Sequence, residues 1–365
     1  MKIIVYAICK NESKFASRWL KSMGEADGIY VLDTGSTDDT VSLLRDGGAR
    51  VTREIIAPWR FDAARNRSLE LVPQDADICV CTDLDEVFHP GWRKALEAAW
   101  QKDTTRASYR YTWNFLPDGS EGHVFWLDKA HARQGYRWAH PVHEVLVWQG
   151  EPGAERRVTV PGMQLDHHAD DQKSRGQYLP LLELSVKEAP EDDRNMHYLG
   201  REYLFHGRYD DCIRTLKRHL ALKSAAWADE RCASMRYIAA AYTAKGERGE
   251  AEKWLWRAAA EAPHLREPFM DLARLYYGLR RWEDVAYAAF RALQITNRAE
   301  TYITDCAAWG SLPWDYRALG LYYTGRIREA LAAAEEACRL SPADERLRKN
   351  LALIRRKAAE NKTAE

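Results

Sequence analysis

Asp77-Ile78-Cys79-Val80-Cys81-Thr82-Asp83-Leu84-Asp85-Glu86 is the stretch on which the fold turns. An unbroken apolar run of strand length ends abruptly at Thr82, and two aspartates follow at i and i+2. A continuous apolar run, rather than an alternating one, is what a strand covered on both faces requires. In open parallel sheets ligands gather beyond the carboxyl ends of the strands, where loop carboxylates can reach them. Asp83 and Asp85 can share a divalent cation, directly or through water. Mg2+ and Mn2+ favour oxygen ligands and commonly bridge to substrate phosphates. The plainer alternative is a solvated acidic loop that caps the next helix.

Upstream of this stretch, strands and helices alternate. Residues 3–8 form an apolar run, followed by Phe15, Trp19, Leu20 and Met23 at helical spacing. Residues 29–32 are a second strand, ending at Asp33-Thr34-Gly35-Ser36-Thr37-Asp38-Asp39-Thr40. Val41 and Leu44 then open a helix that stops at Gly47-Gly48, with Ser36 or Thr37 expected as N-cap and Asp38 and Asp39 at its positive end. A strand near residues 51–55 and a helix over 62–72 complete a β-α-β-α-β-α-β series, which predicts a mostly parallel sheet with helices on both faces. Downstream, residues 107–116, the turn Pro117-Asp118-Gly119-Ser120 and residues 123–127 predict an antiparallel hairpin, and residues 156–165 a further strand.

From Tyr178 onward the pattern is helical and it repeats. Tyr198-Leu199-Gly200-Arg201-Glu202-Tyr203 with Gly207 is echoed by residues 238–242 with Gly246, by Leu272-Ala273-Arg274-Leu275-Tyr276-Tyr277 with Trp282, and by Leu319-Gly320-Leu321-Tyr322-Tyr323 with Gly325. Ala251, Ala286 and Ala330 recur in the second helix of each pair. Tyr203 to Tyr242 is 39 residues and Tyr242 to Tyr276 is 34, close to the tetratricopeptide period, with an insertion near residues 297–313 before the last unit. Such repeats bury one continuous core by stacking and leave a concave face free, a shape that suits peptides.

Composition narrows the function classes. Lys+Arg and Asp+Glu both number 54, so no net charge draws the chain toward nucleic acid or an anionic membrane. No apolar run reaches bilayer-spanning length, and Met1-Lys2-Ile3-Ile4-Val5-Tyr6 reads as a buried strand rather than a signal peptide. The seven cysteines are scattered and lack zinc-site spacing, so the expectation is a reduced, cytoplasmic protein in which Cys79 and Cys81 help fill a core. The 14 Trp and 18 Tyr hint at aromatic binding surfaces.

Ile8-Cys9-Lys10-Asn11-Glu12, Val31 through Thr40, Phe61-Asp62-Ala63-Ala64-Arg65-Asn66 and Asp83-Leu84-Asp85-Glu86, in that order over about 90 residues, resemble GT-A glycosyltransferases of family 2, with a weaker tail of likeness to about residue 175. The fold this implies is an α/β GT-A (Rossmann-like) domain over residues 1–176, followed by an all-α tetratricopeptide-like superhelix over 177–365. The activity it implies is inverting transfer of a sugar from a nucleotide diphosphate donor, UDP favoured, with Mn2+ or Mg2+ on the diphosphate. Carried over, Asp33 contacts the nucleoside, Asn11 and Glu12 border the same pocket, Arg65 and Asn66 hold the nucleotide, Asp83 belongs to the donor site and Asp85 to the metal. Many relatives carry a second acid after Asp33; Thr34 stands here, so base selectivity does not transfer.

An inverting displacement needs a group to take the acceptor proton. His140-Pro141-Val142-His143-Glu144 resembles the H-E of this branch and makes Glu144 the candidate base, with His143 its rival and Asp128 a weaker alternative. In Asp166-His167-His168-Ala169-Asp170 one histidine is expected on the metal, His167 ahead of His168, since neighbours in an extended segment point to opposite sides. Lys173 and Arg175 could neutralise the leaving diphosphate or simply be linker charges. The acceptor is expected to be a peptide, protein or glycan met with help from the repeats, as in bacterial peptide glycosyltransferases with helical tails. The repeats could instead join two copies of the chain. The competing reading is a catalytically inactive nucleotide-sugar-binding scaffold for protein–protein interaction. A nucleotidyltransferase would need a glycine-rich loop that residues 1–20 lack.

Overall fold

The computed structural model describes residues 1–116, 118–170 and 176–364. The chain divides into two compact units, Met1–Glu188 with Glu300–Tyr302, and Ala189–Ala299 with Ile303–Glu365. In the first unit the elements run β1 (Ile3–Cys9), α1 (Ser13–Met23), β2 (Gly28–Asp33), α2 (Thr40–Asp46), β3 (Arg50–Arg53), α3 (Phe61–Glu70), β4 (Ile78–Cys81), β5 (Glu86–Phe88), α4 (Trp92–Ala99), β6 (Arg106–Thr112), β7 (Val124–Ala132), β8 (Tyr136–Ala139), β9 (Val145–Trp148), β10 (Arg157–His167) and α5 (Tyr178–Glu188).

The main sheet has the order β3-β2-β1-β4-β7-β6-β10-β5. Its first four strands are parallel, as the β-α alternation predicts. Beyond β4 the sheet is mixed: β7 is antiparallel to β4 and to β6, β10 lies parallel to β6, and β5 returns antiparallel along β10. The expected hairpin forms as β6–β7 with Thr112 opposite Val124, but β7 runs on to Ala132 because its far end pairs with β4. β5 and the small β8–β9 hairpin were not legible from alternation; both are too short to show a period.

Every residue of β1 is buried. Ile3, Val5, Ala7 and Cys9 face one core with α1, α2 and α4, whereas Ile4 and Tyr6 face the other with Leu69, Val72 and Trp138. Cys79 and Cys81 pack in this second core. Trp19 and Trp92 are completely buried, and each side chain of that kind contributes roughly 1.5–3 kcal/mol or more by leaving water. Trp19 also donates to Thr82 Oγ1 at 3.0 Å, which ties α1 to the loop after β4.

Helix α2 starts later than its loop suggests. Ser36 and Thr37 do not cap it; Thr40 is its first residue, and Asp38 accepts the Thr40 backbone N–H at 3.1 Å. Ser36 is used elsewhere, its hydroxyl accepting the N–H of Asn11 at 2.8 Å.

The second unit is all helical: α6 (Asp193–Phe205), α7 (Tyr209–Ala221), α8 (Ala228–Ala244), α9 (Arg248–Glu261), α10 (Glu267–Gly278), α11 (Trp282–Leu293), α12 (Leu312–Tyr323), α13 (Ile327–Leu340) and α14 (Glu345–Ala364). The helices pair as α6/α7, α8/α9, α10/α11 and α12/α13, in repeats that resemble tetratricopeptide repeats. The turn inside each pair has one positive-φ residue, two positions before the second helix: Gly207, Gly246, Arg280 and Gly325. Three positions before the repeating Tyr stands a small residue, Gly200, Ala239, Ala273 or Gly320. A Cβ on Gly200 would run into the Leu216 side chain, and one on Gly320 would lie 2.6 Å from the Ala286 backbone, so these positions set how closely the helices approach. The insertion before α12 contains a short 3-10 turn, Cys306–Trp309.

Candidate functional site

The strand directions bring the candidate residues to one edge of the main sheet. β1, β2, β4, β6 and β10 all run the same way, so Asn11, Asp33, Asp83, Trp113 and His167 lie at or just beyond their carboxyl ends. Open α/β sheets bind ligands at such an edge.

Two loops there are laced together. Asn11, in the left-handed region at φ 55°, accepts the Thr37 N–H at 2.8 Å, and the Glu12 N–H donates to Thr40 Oγ1 at 2.7 Å. Asp33 is fully buried and accepts the Ser36 N–H at 3.1 Å and Arg53 Nε at 3.0 Å, so its carboxylate organises its own turn.

At the end of β4 lies a dense charge cluster. Arg65 of α3 is buried; its Nη2 donates to Asp83 and its Nε to Glu144, both at 2.7 Å. Lys129 of β7 approaches the other Asp83 oxygen at 3.4 Å and Glu86 at 3.9 Å. Burial works against the charge on Arg65, but the Asp83 and Glu144 carboxylates outweigh it and hold its pKa above the ordinary value. The same opposition, with Glu86 and Asp83 prevailing, raises Lys129. Glu86 is held by Tyr111 Oη at 2.8 Å and by the Asp83 N–H at 2.8 Å. Burial pushes its pKa up, and the charges of Asp83 and Asp85 add to the rise against the pull of Lys129.

Helix α3 also positions the segment that carries Glu144. The Phe61 N–H donates to Pro141 O at 2.9 Å, Arg65 holds Glu144, and the Asn66 amide pairs with both backbone groups of Trp138, at 2.8 and 2.9 Å. Arg65 and Asn66 thus clamp residues 138–144. His140 and His143 turn this segment with φ 79° and 50°. The His143 ring lies 5.8 Å from that of Tyr178. Asp128 pairs instead with Arg106 at 3.1 Å and Arg157 at 3.2 Å, the first residues of β6 and β10.

Asp85 meets the end of β10. His168 donates its backbone N–H to Asp85 O at 2.8 Å, and its ring stacks on Phe115 at 5.6 Å. His167 turns the other way: Nδ1 lies 2.9 Å from the Trp113 carbonyl and Nε2 3.5 Å from Asp85 Oδ2. Since the carbonyl can only accept, Nδ1 carries a proton, and a neutral His167 directs its Nε2 lone pair at a carboxylate oxygen. A proton or a metal cation resolves that opposition. Although burial disfavours its charged form, Asp85 raises the His167 pKa.

The charges permit a cation. Asp83, Asp85 and Glu144, when ionised, carry three negative charges against two positive ones on Arg65 and Lys129, an excess of one even without Glu86, whose burial favours its neutral form. A divalent ion of oxygen and nitrogen preference fits Asp85 and His167 as ligands. The exposed Trp113 ring stacks on His167 at 4.4 Å and borders the same place. Lys173 and Arg175 lie outside the described residues. Glu86, Lys129, Tyr111 and Trp113 are the additions of the structure. Glu86 follows directly on the aspartate pair in sequence, but Lys129 carries no sequence mark, because only the β4–β7 pairing brings it to Asp83.

No family model matches the chain. Solved structures share parts of it. Yeast Tom70 matches at a TM-score of 0.39 with 15% identity, over 53% of this chain and 38% of Tom70. A thermophilic TPR protein of Thermus thermophilus matches at 0.35 with 21% identity, over 49% of this chain and 91% of the other. Glucosyl-3-phosphoglycerate synthase from Mycobacterium tuberculosis, solved with Mn2+, UDP and glucosyl-3-phosphoglycerate, matches at 0.27 with 27% identity, over 30% of this chain and 44% of that enzyme. At such TM-scores these likenesses carry no weight beside the geometry. No helix among the described residues is long and apolar enough to cross a membrane.

Proposed function

We propose that the chain is an inverting, metal-dependent glycosyltransferase that moves a sugar from a nucleotide diphosphate donor, UDP first among candidates, to an acceptor. The observation that carries this reading is the juxtaposition of Asp83, Asp85, His167, Arg65 and Glu144 at the carboxyl edge of the sheet. Asp85 and His167 would hold Mn2+ or Mg2+, which would offset the charge of a leaving diphosphate. Asn11 and Glu12 form the rim proposed for the nucleoside, and Asp33, fully buried and held by Ser36 and Arg53, is proposed to fix the loop beside it.

Glu144 is the proposed base. One of its oxygens is fixed by Arg65, which orients the carboxylate for proton uptake by the other. The acceptor's nucleophilic atom gives its proton to Glu144 as its lone pair bonds to the anomeric carbon. The sugar–diphosphate bond breaks on the opposite face, and the nucleoside diphosphate leaves with the electron pair. His143 is the alternative base on the same segment. The repeats are proposed to hold a peptide, protein or glycan acceptor, in keeping with the shape of tetratricopeptide-like stacks.

The test is turnover of a panel of UDP-, GDP- and dTDP-sugars with Mn2+ and with chelator. At least one donor should be consumed only with metal, and Asp85→Ala should remove that consumption. Binding of a donor with turnover of none would favour the inactive scaffold, and failure of every donor to bind would overturn the nucleotide-sugar reading.

A further inference from the structure

The first repeats of the helical unit hold a second set of ligand-type side chains. Asp193 in the first turn of α6, His219 in the last turn of α7 and Glu230 in the first turn of α8 each offer one ligand atom, and these atoms lie within 4.8 Å of one another. His219 and Glu230 are buried, while Asp193 is half-buried and leaves a way in. It is the one such group of three among the described residues.

Its spacing is that of a ligand shell. His219 Nε2 stands 3.3 Å from Glu230 Oε1. Tetrahedral zinc with bonds of about 2.0–2.1 Å keeps its ligand atoms roughly 3.3 Å apart. This pair therefore already stands at ligand spacing, and the Asp193 carboxylate lies within 4.8 Å of both. Asp193 and His197 are i and i+4 on α6, and Glu230 and Ser234 are i and i+4 on α8, so each pair shares a helix face. Helical bundles build metal sites from such pairs on facing helices.

A second observation lies behind the first. Ser234 Oγ is 2.7 Å from His197 Nδ1 and 3.0 Å from His219 Nδ1, so one hydroxyl serves two imidazoles. The remaining nitrogen of His197, Nε2, is fully buried without a hydrogen-bond partner, and its ring lies 5.7 Å from that of His219. With a metal on His219 Nε2, its Nδ1 keeps the proton and donates to Ser234, whose hydroxyl donates to His197. That chain orients the ligand from behind, as the outer partners of ligating histidines do.

We infer that Asp193, His219 and Glu230 form a zinc site, with Ser234 and His197 behind it, that ties α6, α7 and α8 together. Mixed imidazole and carboxylate donors at tetrahedral spacing suit zinc over the oxygen-seeking Mg2+. The site is independent of the proposed transferase chemistry.

The experiment is calorimetric titration of Zn2+ into the chelator-treated full chain carrying Asp85→Ala and His167→Ala, which removes the metal site proposed in the first unit. One equivalent should bind and raise the melting temperature. His219→Gln should abolish that equivalent, and Ser234→Ala should weaken it by about 10–100-fold while keeping the stoichiometry. Should His219→Gln fail to fold, Asp193→Asn, at the half-exposed position, decides: weaker zinc binding with an unchanged circular dichroism spectrum supports the site. Absence of binding in the parent chain, or unchanged binding in Asp193→Asn or in a folded His219→Gln, would overturn it.

Discussion

Asp85 and His167 oppose two electron-rich atoms across 3.5 Å, and the neighbouring Asp83 is already gripped by Arg65 and Lys129. The carboxylates of the D-x-D pair therefore differ: one is neutralised within the protein, the other is left for a cation. Asp85→Ala is expected to abolish donor turnover while the melting temperature stays within a few degrees, since the fold contact at this residue is its backbone carbonyl with His168. Full turnover in that variant would remove Asp85 from the metal role. Glu144→Gln keeps an oxygen for Arg65 but removes the basic carboxylate, so kcat should fall about 100-fold or more with donor affinity nearly unchanged. An equal loss in both would assign Glu144 to scaffolding. Arg65→Met should behave differently from either, because it leaves Glu144 and Asp83 without their buried partner. Breaking such a pair costs about 3–5 kcal/mol, to be read from urea denaturation. These roles were only half legible in the sequence. The order of motifs pointed to Arg65, Asn66 and the D-x-D pair, but a motif does not say toward what a side chain turns. That depended on residues 138–144 folding back over α3.

At the scale of elements, the repeats were the most readable part, because their period writes itself into small residues and turn glycines. Cys212 shows the limit: five residues after the turn it fills in α7 the buried place held by Ala251, Val285 and Ala330 in later units, and its residue type hides the equivalence. Arg280 is a second break in the pattern. It takes the left-handed conformation, φ 55°, that glycine takes in the three equivalent turns, and its side chain is exposed. Arg280→Gly should therefore stabilise the helical unit by about 0.5–1 kcal/mol, the relief of left-handed strain exceeding the added chain entropy of glycine. A lower urea midpoint would contradict this. Gly320→Ala should act the opposite way. Its Cβ would meet Ala286 N at 2.6 Å and Trp282 O at 2.8 Å, and backbone cannot rotate aside. Overpacking of about 1–3 kcal/mol exceeds the roughly 1 kcal/mol gained in helix propensity. In the first unit the parallel half of the sheet was read from alternation alone. The mixed half was not, since the hairpin strand β7 also joins β4 through pairings between residues some 50 apart in sequence.

For the whole molecule, acid is the condition under which these buried networks reveal their cost. His131 lies at the centre of the first unit, completely buried, in an ordered chain: Trp138 Nε1 donates to Tyr6 Oη at 2.9 Å, Tyr6 Oη lies 2.8 Å from His131 Nε2, and His131 Nδ1 lies 2.8 Å from Ala132 O. The carbonyl fixes the proton on Nδ1, so Nε2 accepts from the tyrosine. A second proton on Nε2 would face that hydroxyl and force it to turn away. Burial, with Arg106 and Arg133 adding to it against the Ala132 hydrogen bond, pushes the His131 pKa down to about 3. The unfolded chain binds a proton near the ordinary value of 6.5. Below that pH the unfolded state takes up a proton that the native state refuses, so this contribution is complete above pH 6.5 and is lost progressively as pH falls toward 3. His167 has the opposite sign: its raised pKa adds stability at low pH that is lost as pH rises through the folded value. A comparison with His131→Gln cancels that term and isolates His131. Between pH 7 and pH 5 the parent should lose about 2 kcal/mol more than His131→Gln in urea denaturation of the first unit. Parallel pH profiles for the two proteins would show that His131 takes up a proton without disturbing the Trp138–Tyr6 chain.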